Sequence, residues 1–535
     1  MVTTSRRDAL RMMLGVSVFS LPACAPASKD KASKDKAKTG SRTLYFAQAV
    51  EPVSLNTAIT SAGPVTFTAS KIFDGLLTYD LDGKPQPQLA TAWSVSEDGL
   101  TYRFDLRPDV RWHDGKAFTS ADVAFSLQKV WREYHGRGRT TFANVVSVDA
   151  SDPLFSIWRL SKPAPYLLSC LAASESTVIP SHLYDGTDIL TNPRNVAPVG
   201  TGPFRFGSWQ RGNQIVLERN PDYWDQPKPH LDRIVVRFLP DATAAAIALE
   251  TGTVDLTSGV PYSEVPRLSG NKALKLLTED KSYSPNWTQF EFNLERPALK
   301  DARVRQAIAH AIDREFIARH ILGNAEVADS PVPKELTEFH ANGLPAYPFD
   351  LARANALLDE AGVKPDSGGV RLRLFFDFTA STSAIRMAAH MRSTLAKAGI
   401  LLQARSQDQG EYINRIYTRG DFDTCMTGSG AGRDPAIGVQ RYYWSKNIQK
   451  GVAFSNGPHY RNPEVDRILE TAQTELDPVK RRKLYADFQR IVMTDLPYLP
   501  LFWTHAYIGA NRRITGLLTT LSGLNSNFAD VMLTA

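Results

Sequence analysis

Cysteine is scarce in this sequence: 535 residues carry only Cys24, Cys170 and Cys425. Three are too few for a disulfide framework in a chain of this length. Cys170 and Cys425 lie far apart, and both are expected to be buried thiols acting as small hydrophobes. Long apolar runs are missing beyond the N-terminus, which excludes a bundle of bilayer-spanning helices. The body also lacks an excess charge. The whole net charge of +6 falls within residues 1–42, and everything from Thr43 onward is formally neutral. A neutral body has no basic footprint for a phosphate backbone, so no nucleic acid partner is expected. Catalytic signatures are absent too, with no Gly-x-Ser-x-Gly elbow, no P-loop and no His-Glu-x-x-His helix. The ten histidines are scattered without metal-ligand spacing. No catalytic residue, metal or cofactor is therefore assigned.

What is present begins with an address. Residues 1–23 have a basic start, an apolar run from Met12 to Ala23 and small residues before Cys24. The run is too short to span a membrane and suits a signal peptide. Arg6 and Arg7 after Ser5, with Leu10, resemble a twin-arginine export signal, although Ala9 stands where such signals favour an aromatic residue. Leu21-Pro22-Ala23-Cys24 resembles a lipoprotein processing site, which makes Cys24 the expected lipidation site. Pro22 is unusual there, and a plain secretory signal with an incidental cysteine is the alternative. Residues 24–42 contain ASKDK twice in succession and read as a disordered, Lys-rich tether with nothing to bury. The expected location is periplasmic or extracytoplasmic, anchored to a membrane by lipid.

From Thr43 the pattern is α/β. Thr43–Ala47 alternates as a half-buried strand. Trp93–Val95 and Thr101–Leu106 read as paired strands joined by a turn at Glu97-Asp98-Gly99. A second turn at Asp114-Gly115 leads to Ser120, a candidate N-cap for the helix that follows. Val304, Ile308, Ile312 and Phe316 recur every four residues, the stripe of one packed amphipathic helix over 304–317. Asp350, Asn462 and Asp477 each stand where a helix cap is needed, the last two before a first-turn proline.

The string over 90–118, with Ala90, Asp98, Thr101, Tyr102, Phe104, Leu106, Arg107, Asp109, Val110, Asp114, Gly115 and Phe118, resembles the signature of the family-5 extracellular solute-binding proteins, the dipeptide, oligopeptide and nickel receptors of ABC importers. Further segments over 200–241, 304–317 and 350–362 resemble the same family in the same order. The resemblance implies an α/β fold of the two-lobed type II periplasmic-binding-protein class, with a hinge and an extra α/β domain. Mapped here, domain I would comprise 43–70, 198–285 and 506–535, domain II (the extra domain) 71–197, and domain III 286–505. The crossings near Asn286 and His505 would form the hinge. The implied function is capture of a small ligand, peptide or peptide-like, by a monomer that delivers it to a permease and its ATPase subunits. An exported hydrolase or a non-transport ligand sensor on the same scaffold are the alternatives.

For the ligand site the strongest segment is 421–445. Phe422–Met426 reads as a buried strand, followed by a turn at Gly428, Gly430 and Gly432 whose bare backbone invites close approach. In the peptide receptors an aspartate near this point pairs with the ligand amino group. The resemblance puts Asp434 there, with Arg433 for a carboxylate, Ser429 in the loop, and Tyr442, Tyr443, Trp444 and Trp287 as aromatic walls. A plain turn and plain packing are the competing reading of these residues. Ser429 and Ala436 also depart from the usual peptide-receptor pattern, which leaves simple dipeptide specificity open.

Overall fold

The structure, a computed structural model, describes residues 42–279 and 281–534. The expectations for the signal segment, Cys24 and residues 24–41 lie outside the described residues. Three sheets organise the rest. The first has seven strands in the order Leu274–Thr278, Tyr507–Asn511, Leu256–Thr257, Thr43–Gln48, Arg233–Phe238, Gln214–Arg219 and Phe204–Gln210. Thr43–Gln48 runs parallel to both neighbours, and its Leu44 and Phe46 are fully buried. The second sheet has four antiparallel strands, Ala90–Val95, Thr101–Leu106, Phe155–Leu160 and Val145–Asp149. Its hairpin turns at Gly99, whose φ of 68° is costly for any residue with a Cβ. Trp131, Trp158 and Phe104 pack beneath it with ring centroids 4.8–6.4 Å apart.

The third sheet has six strands: Ala325–Val327, Tyr498–Thr504, Asn286–Phe292, Thr424–Gly430, Leu372–Thr379 and Ile400–Gln407. Both of its faces are covered, as a sheet with central buried strands requires. Along Asn286–Phe292 the side chains alternate: Phe290 and Phe292 enter one apolar cluster, and Trp287 enters another on the opposite face. The chain passes between the seven- and six-stranded sheets twice, through residues 279–285 and 505–506. The two crossings are tied together, since His505 Nδ1 donates to the Glu279 carbonyl at 3.0 Å.

Local chemistry explains most of the element ends. Asp350, Asn462 and Asp477 each accept backbone N–H groups of the following first turn at 2.9–3.3 Å, worth about 1 kcal/mol per cap. Three expectations are corrected. The helix after Asp114-Gly115 is Ser120–Phe125 and its N-cap is Thr119; the Thr119 N–H donates to Asp122 at 3.0 Å, while the Ser120 hydroxyl donates to the Asp152 carbonyl at 2.6 Å. The stripe over 304–317 is split into helices Ala302–His310 and Arg314–Phe316, because Asp313 caps the second by accepting from the Phe316 N–H. The strand expected at Phe422–Met426 is Thr424–Gly430. Gly428 and Gly430 therefore lie in the ladder, and only Gly432, with φ 69°, takes the turn conformation. Cys170 and Cys425 are both buried and unpaired.

Candidate functional site

The end of strand Thr424–Gly430 lies beside the first crossing. Trp287 pairs with Ser429 and Asn286 with Gly430 in antiparallel register. The Ser284 hydroxyl accepts from the Gly432 N–H at 3.1 Å, and a Cβ on residue 430 would collide with that hydroxyl. Glycine at 430 leaves room for that hydroxyl, which would have to turn away from a Cβ there. Around this junction lies a cavity of about 730 Å³, into which Glu279 and segments 59–67, 134–137, 174–175, 282–286, 428–430 and 521–525 project. Its size falls within the range of small-molecule sites, about 300–1,000 Å³.

The cavity wall is charged in two places. In the first, Arg137 is ion-paired with Glu175, with the two side chains only 12% and 6% exposed. Arg441 lines the same cavity and donates from Nη2 to the Ala453 carbonyl at 2.9 Å. Burial pushes the neighbouring His135 down to about 3, and the fields of Arg137 and Arg441 add to the effect. Burial raises the Glu175 carboxyl, against the opposing pull of Arg137 and Arg441. Two guanidinium groups and one carboxylate thus converge at this end. The second charged place is Glu279, at the crossings. Its carboxylate accepts from the Leu524 N–H at 2.8 Å; burial raises its pKa, and Lys71 and His505 oppose the rise. Ser282, Ser284, Asn286 and Ser429 supply neutral donors and acceptors between these groups.

Of the seven residues singled out from sequence, Ser429 lines this cavity. Trp287 stands directly behind it, 1% exposed, stacked on Trp503 at 5.7 Å and meeting Tyr442 edge-on at 5.6 Å. Tyr442 and Tyr443 are buried in the same aromatic cluster. Trp444 is half-buried, and its indole donates to Glu470 at 2.9 Å. Arg433 reaches the turn at Gly83, away from the cavity wall. The Asp434 carboxylate is fully engaged by the protein: Arg481 donates to both oxygens at 2.6 and 2.7 Å, and the Ala436 N–H to one at 2.9 Å. His113, in the turn before Gly115, also bridges segments. It accepts from the Gly200 N–H at Nδ1 and donates to the Gly202 carbonyl from Nε2 at 2.9 Å.

Arg137, Glu175, Glu279 and Arg441 escaped the sequence reading because they converge from segments separated by tens to hundreds of residues. The signal that was available is local. His135-Gly136-Arg137-Gly138 brackets an arginine with glycines, and Ser282-Tyr283-Ser284 crowds hydroxyls at a crossing.

Comparison with known proteins places these features in context. Residues 84–451 match the family described as bacterial extracellular solute-binding proteins, family 5. A putative ABC transporter peptide-binding protein of Brucella ovis is 30% identical over 454 residues, 81% of either chain. The structure is similar to that of NikZ from Campylobacter jejuni in complex with Ni(L-His), with a TM-score of 0.81, 25% identity, and coverage of 92% of this chain and 99% of that one. It is also similar to DppA from Helicobacter pylori in complex with the peptide STSA, with a TM-score of 0.79, 26% identity, and coverage of 92% and 98%.

Proposed function

The chain belongs to the bacterial extracellular solute-binding proteins of family 5, and on that premise we propose that it captures a small peptide-like ligand in the 730 Å³ cavity and delivers it to an ABC permease. Its role is the substrate-binding role of an importer, and members of this family are binding proteins of the periplasm or the extracytoplasmic space. The observation that carries the ligand class is the pairing of charges in the cavity wall. Arg137 and Arg441 outnumber Glu175 at one place and suit a carboxylate. Glu279 and the nearby hydroxyls suit an ammonium group. A zwitterion meets both. Ser429 would touch the ligand, with Trp287 and Tyr442 stiffening the wall behind it. Asp434 would act through Arg481 as a positioning residue.

We further propose that domain I is organised by the seven-stranded sheet, domain II by the four-stranded sheet and domain III by the six-stranded sheet. The crossings at 279–285 and 505–506 would be the hinge that closes on ligand. Anchoring through Cys24 completes the proposal. Metabolic palmitate labelling is expected to vanish in Cys24→Ala, and label that persists contradicts it.

Thermal unfolding tests the ligand class. At a free ligand concentration of about 100 Kd, binding to the folded state alone adds about 2.7 kcal/mol. Di- and tripeptides are expected to raise Tm, and mass spectrometry of the released peptide is expected to find it unchanged. A rise with a nickel–histidine chelate and none with peptides moves the ligand to a metal chelate. Cleaved peptide identifies a hydrolase.

A further inference from the structure

A second chamber of about 200 Å³ adjoins the ligand cavity, and Ser174, Ser522 and Asn525 line both. Its walls come from segments 70–88 and 172–174 on one side and from 223–228 and 516–530 on the other. Neither crossing lines it.

The chamber is built around one buried carboxylate. Asp74 is completely inaccessible and accepts four hydrogen bonds: from Gln88 Nε2 at 2.7 Å, Asn527 Nδ2 at 2.8 Å, Trp224 Nε1 at 2.8 Å and the Tyr223 hydroxyl at 3.4 Å. All four donors line the chamber. A single buried acceptor therefore fixes four wall residues that come from three distant segments, which preorganises the space. The Trp224 ring is held as well, with the Arg107 guanidinium 4.0 Å from its centroid.

The charged side chains of the lining are engaged with one another, two carboxylates with one lysine. The lysine of the lining, Lys228, is committed to Asp225 at 3.0 Å and Asp530 at 2.8 Å. The charge of Asp74 is spoken for by its four donors. Asn525 and Thr520 line the chamber as well, with an amide and a hydroxyl. Serine and threonine hydroxyls make up much of the remaining lining; they can donate or accept and so match other hydroxyls. The volume corresponds to about six or seven waters at roughly 30 Å³ each, the space of a single sugar ring.

We propose that this side chamber is a second ligand compartment, which receives a neutral, hydroxyl-bearing extension of the captured molecule, such as a glycosyl group carried on a short peptide. This rests on the capture reading above and narrows it: the peptide-like part sits against Arg137 and Arg441, and the polyol part passes Asn525 into the chamber.

The test compares a bare dipeptide, Ala-Asn, with the same dipeptide bearing N-acetylglucosamine on the asparagine, by calorimetric titration of the purified full chain. The glycosylated form is expected to bind about tenfold tighter, the gain of two well-placed neutral hydrogen bonds. Ser526→Phe fills the chamber without lining the main cavity. It is expected to abolish that advantage and leave bare-dipeptide affinity within about twofold. Thr520→Val, which keeps the side-chain shape, is expected to reduce the advantage by about threefold and guards against misfolding of the bulkier variant. Equal or weaker binding of the glycosylated form by the parent protein overturns the inference while bare-dipeptide binding keeps the capture reading. An advantage that survives in both variants also overturns it. Binding of neither probe overturns the capture reading, and the inference with it.

Discussion

At pH 9 the Glu291→Gln protein is expected to be more stable than the parent chain by about 4 kcal/mol, and at pH 4 the two are expected to differ by less than about 1 kcal/mol. Glu291 lies in the centre of the six-stranded sheet, wholly inaccessible, opposite Cys425 in the register. Its carboxyl abuts Gly457, where a Cβ would strike Oε1. Among the described residues no arginine or lysine neutralises it. Burial pushes its pKa from 4.5 up to about 8, so the native state holds the proton at neutral pH. The unfolded chain releases that proton above about 4.5. Stability from this group is therefore complete below pH 4.5 and is lost as pH rises towards 8. Glutamine has the same shape and no charge to lose, so the stability difference between variant and parent should grow over that window. Urea unfolding at pH 4, 7 and 9, following the transition of the six-stranded sheet, checks the slope. A difference between parent and variant that stays constant from pH 5 to 9 contradicts the buried neutral state.

Removing Arg481 is expected to destabilise the protein by about 3–5 kcal/mol, because it strands the Asp434 carboxylate in the interior. The pair is bidentate, with side chains 6% and 4% exposed, and Arg481 also donates to the Ala472 carbonyl at 2.8 Å. The double variant Asp434→Leu/Arg481→Met carries no buried charge and should recover most of the loss. Urea unfolding of the single and double variants measures the coupling. The same series bears on binding. If Asp434 acts through Arg481, ligand affinity of the folded Asp434→Asn protein should change less than that of Arg441→Ala. A larger loss in Asp434→Asn would place that carboxylate against the ligand.

Much of the fold was legible because its signals are local. A cap depends on one side chain and the next three N–H groups, so Asp350, Asn462 and Asp477 could be read directly. The hairpin at Glu97-Asp98-Gly99 needs only a glycine with positive φ between two alternating runs. The break between His310 and Arg314 was hidden because the apolar stripe continues across it. Only the cap at Asp313, favoured by the packing of both short helices, interrupts the ladder. The strand through Gly428 and Gly430 was misread as a turn for the converse reason. Glycine is intrinsically poor in strands, yet here the Ser284 hydroxyl of the crossing takes the place a Cβ at 430 would occupy.

The site was less legible than the fold. Asp434 and the aromatic run 442–444 stand out in sequence, and in the structure they are held by Arg481, Trp287, Tyr498 and Glu470. Burial and partners, which decide whether a charge is available to a ligand, come from residues 26 to 155 positions away. Arg137 and Arg441 look like any exposed basic residues until the fold brings 304 positions of chain separation to one cavity.

The claim at the centre of this account is that a small zwitterion is held in one cavity by Arg137 and Arg441. Native mass spectrometry of the intact protein with a mixture of di- and tripeptides tests it most directly, on the parent and on Arg137→Ala/Arg441→Ala. The account predicts one peptide per parent chain, released unaltered on denaturation, and an affinity at least about tenfold weaker in the double variant, as loss of charge-assisted hydrogen bonds implies. No peptide adduct on the parent chain, or equal adducts on both proteins, would contradict it.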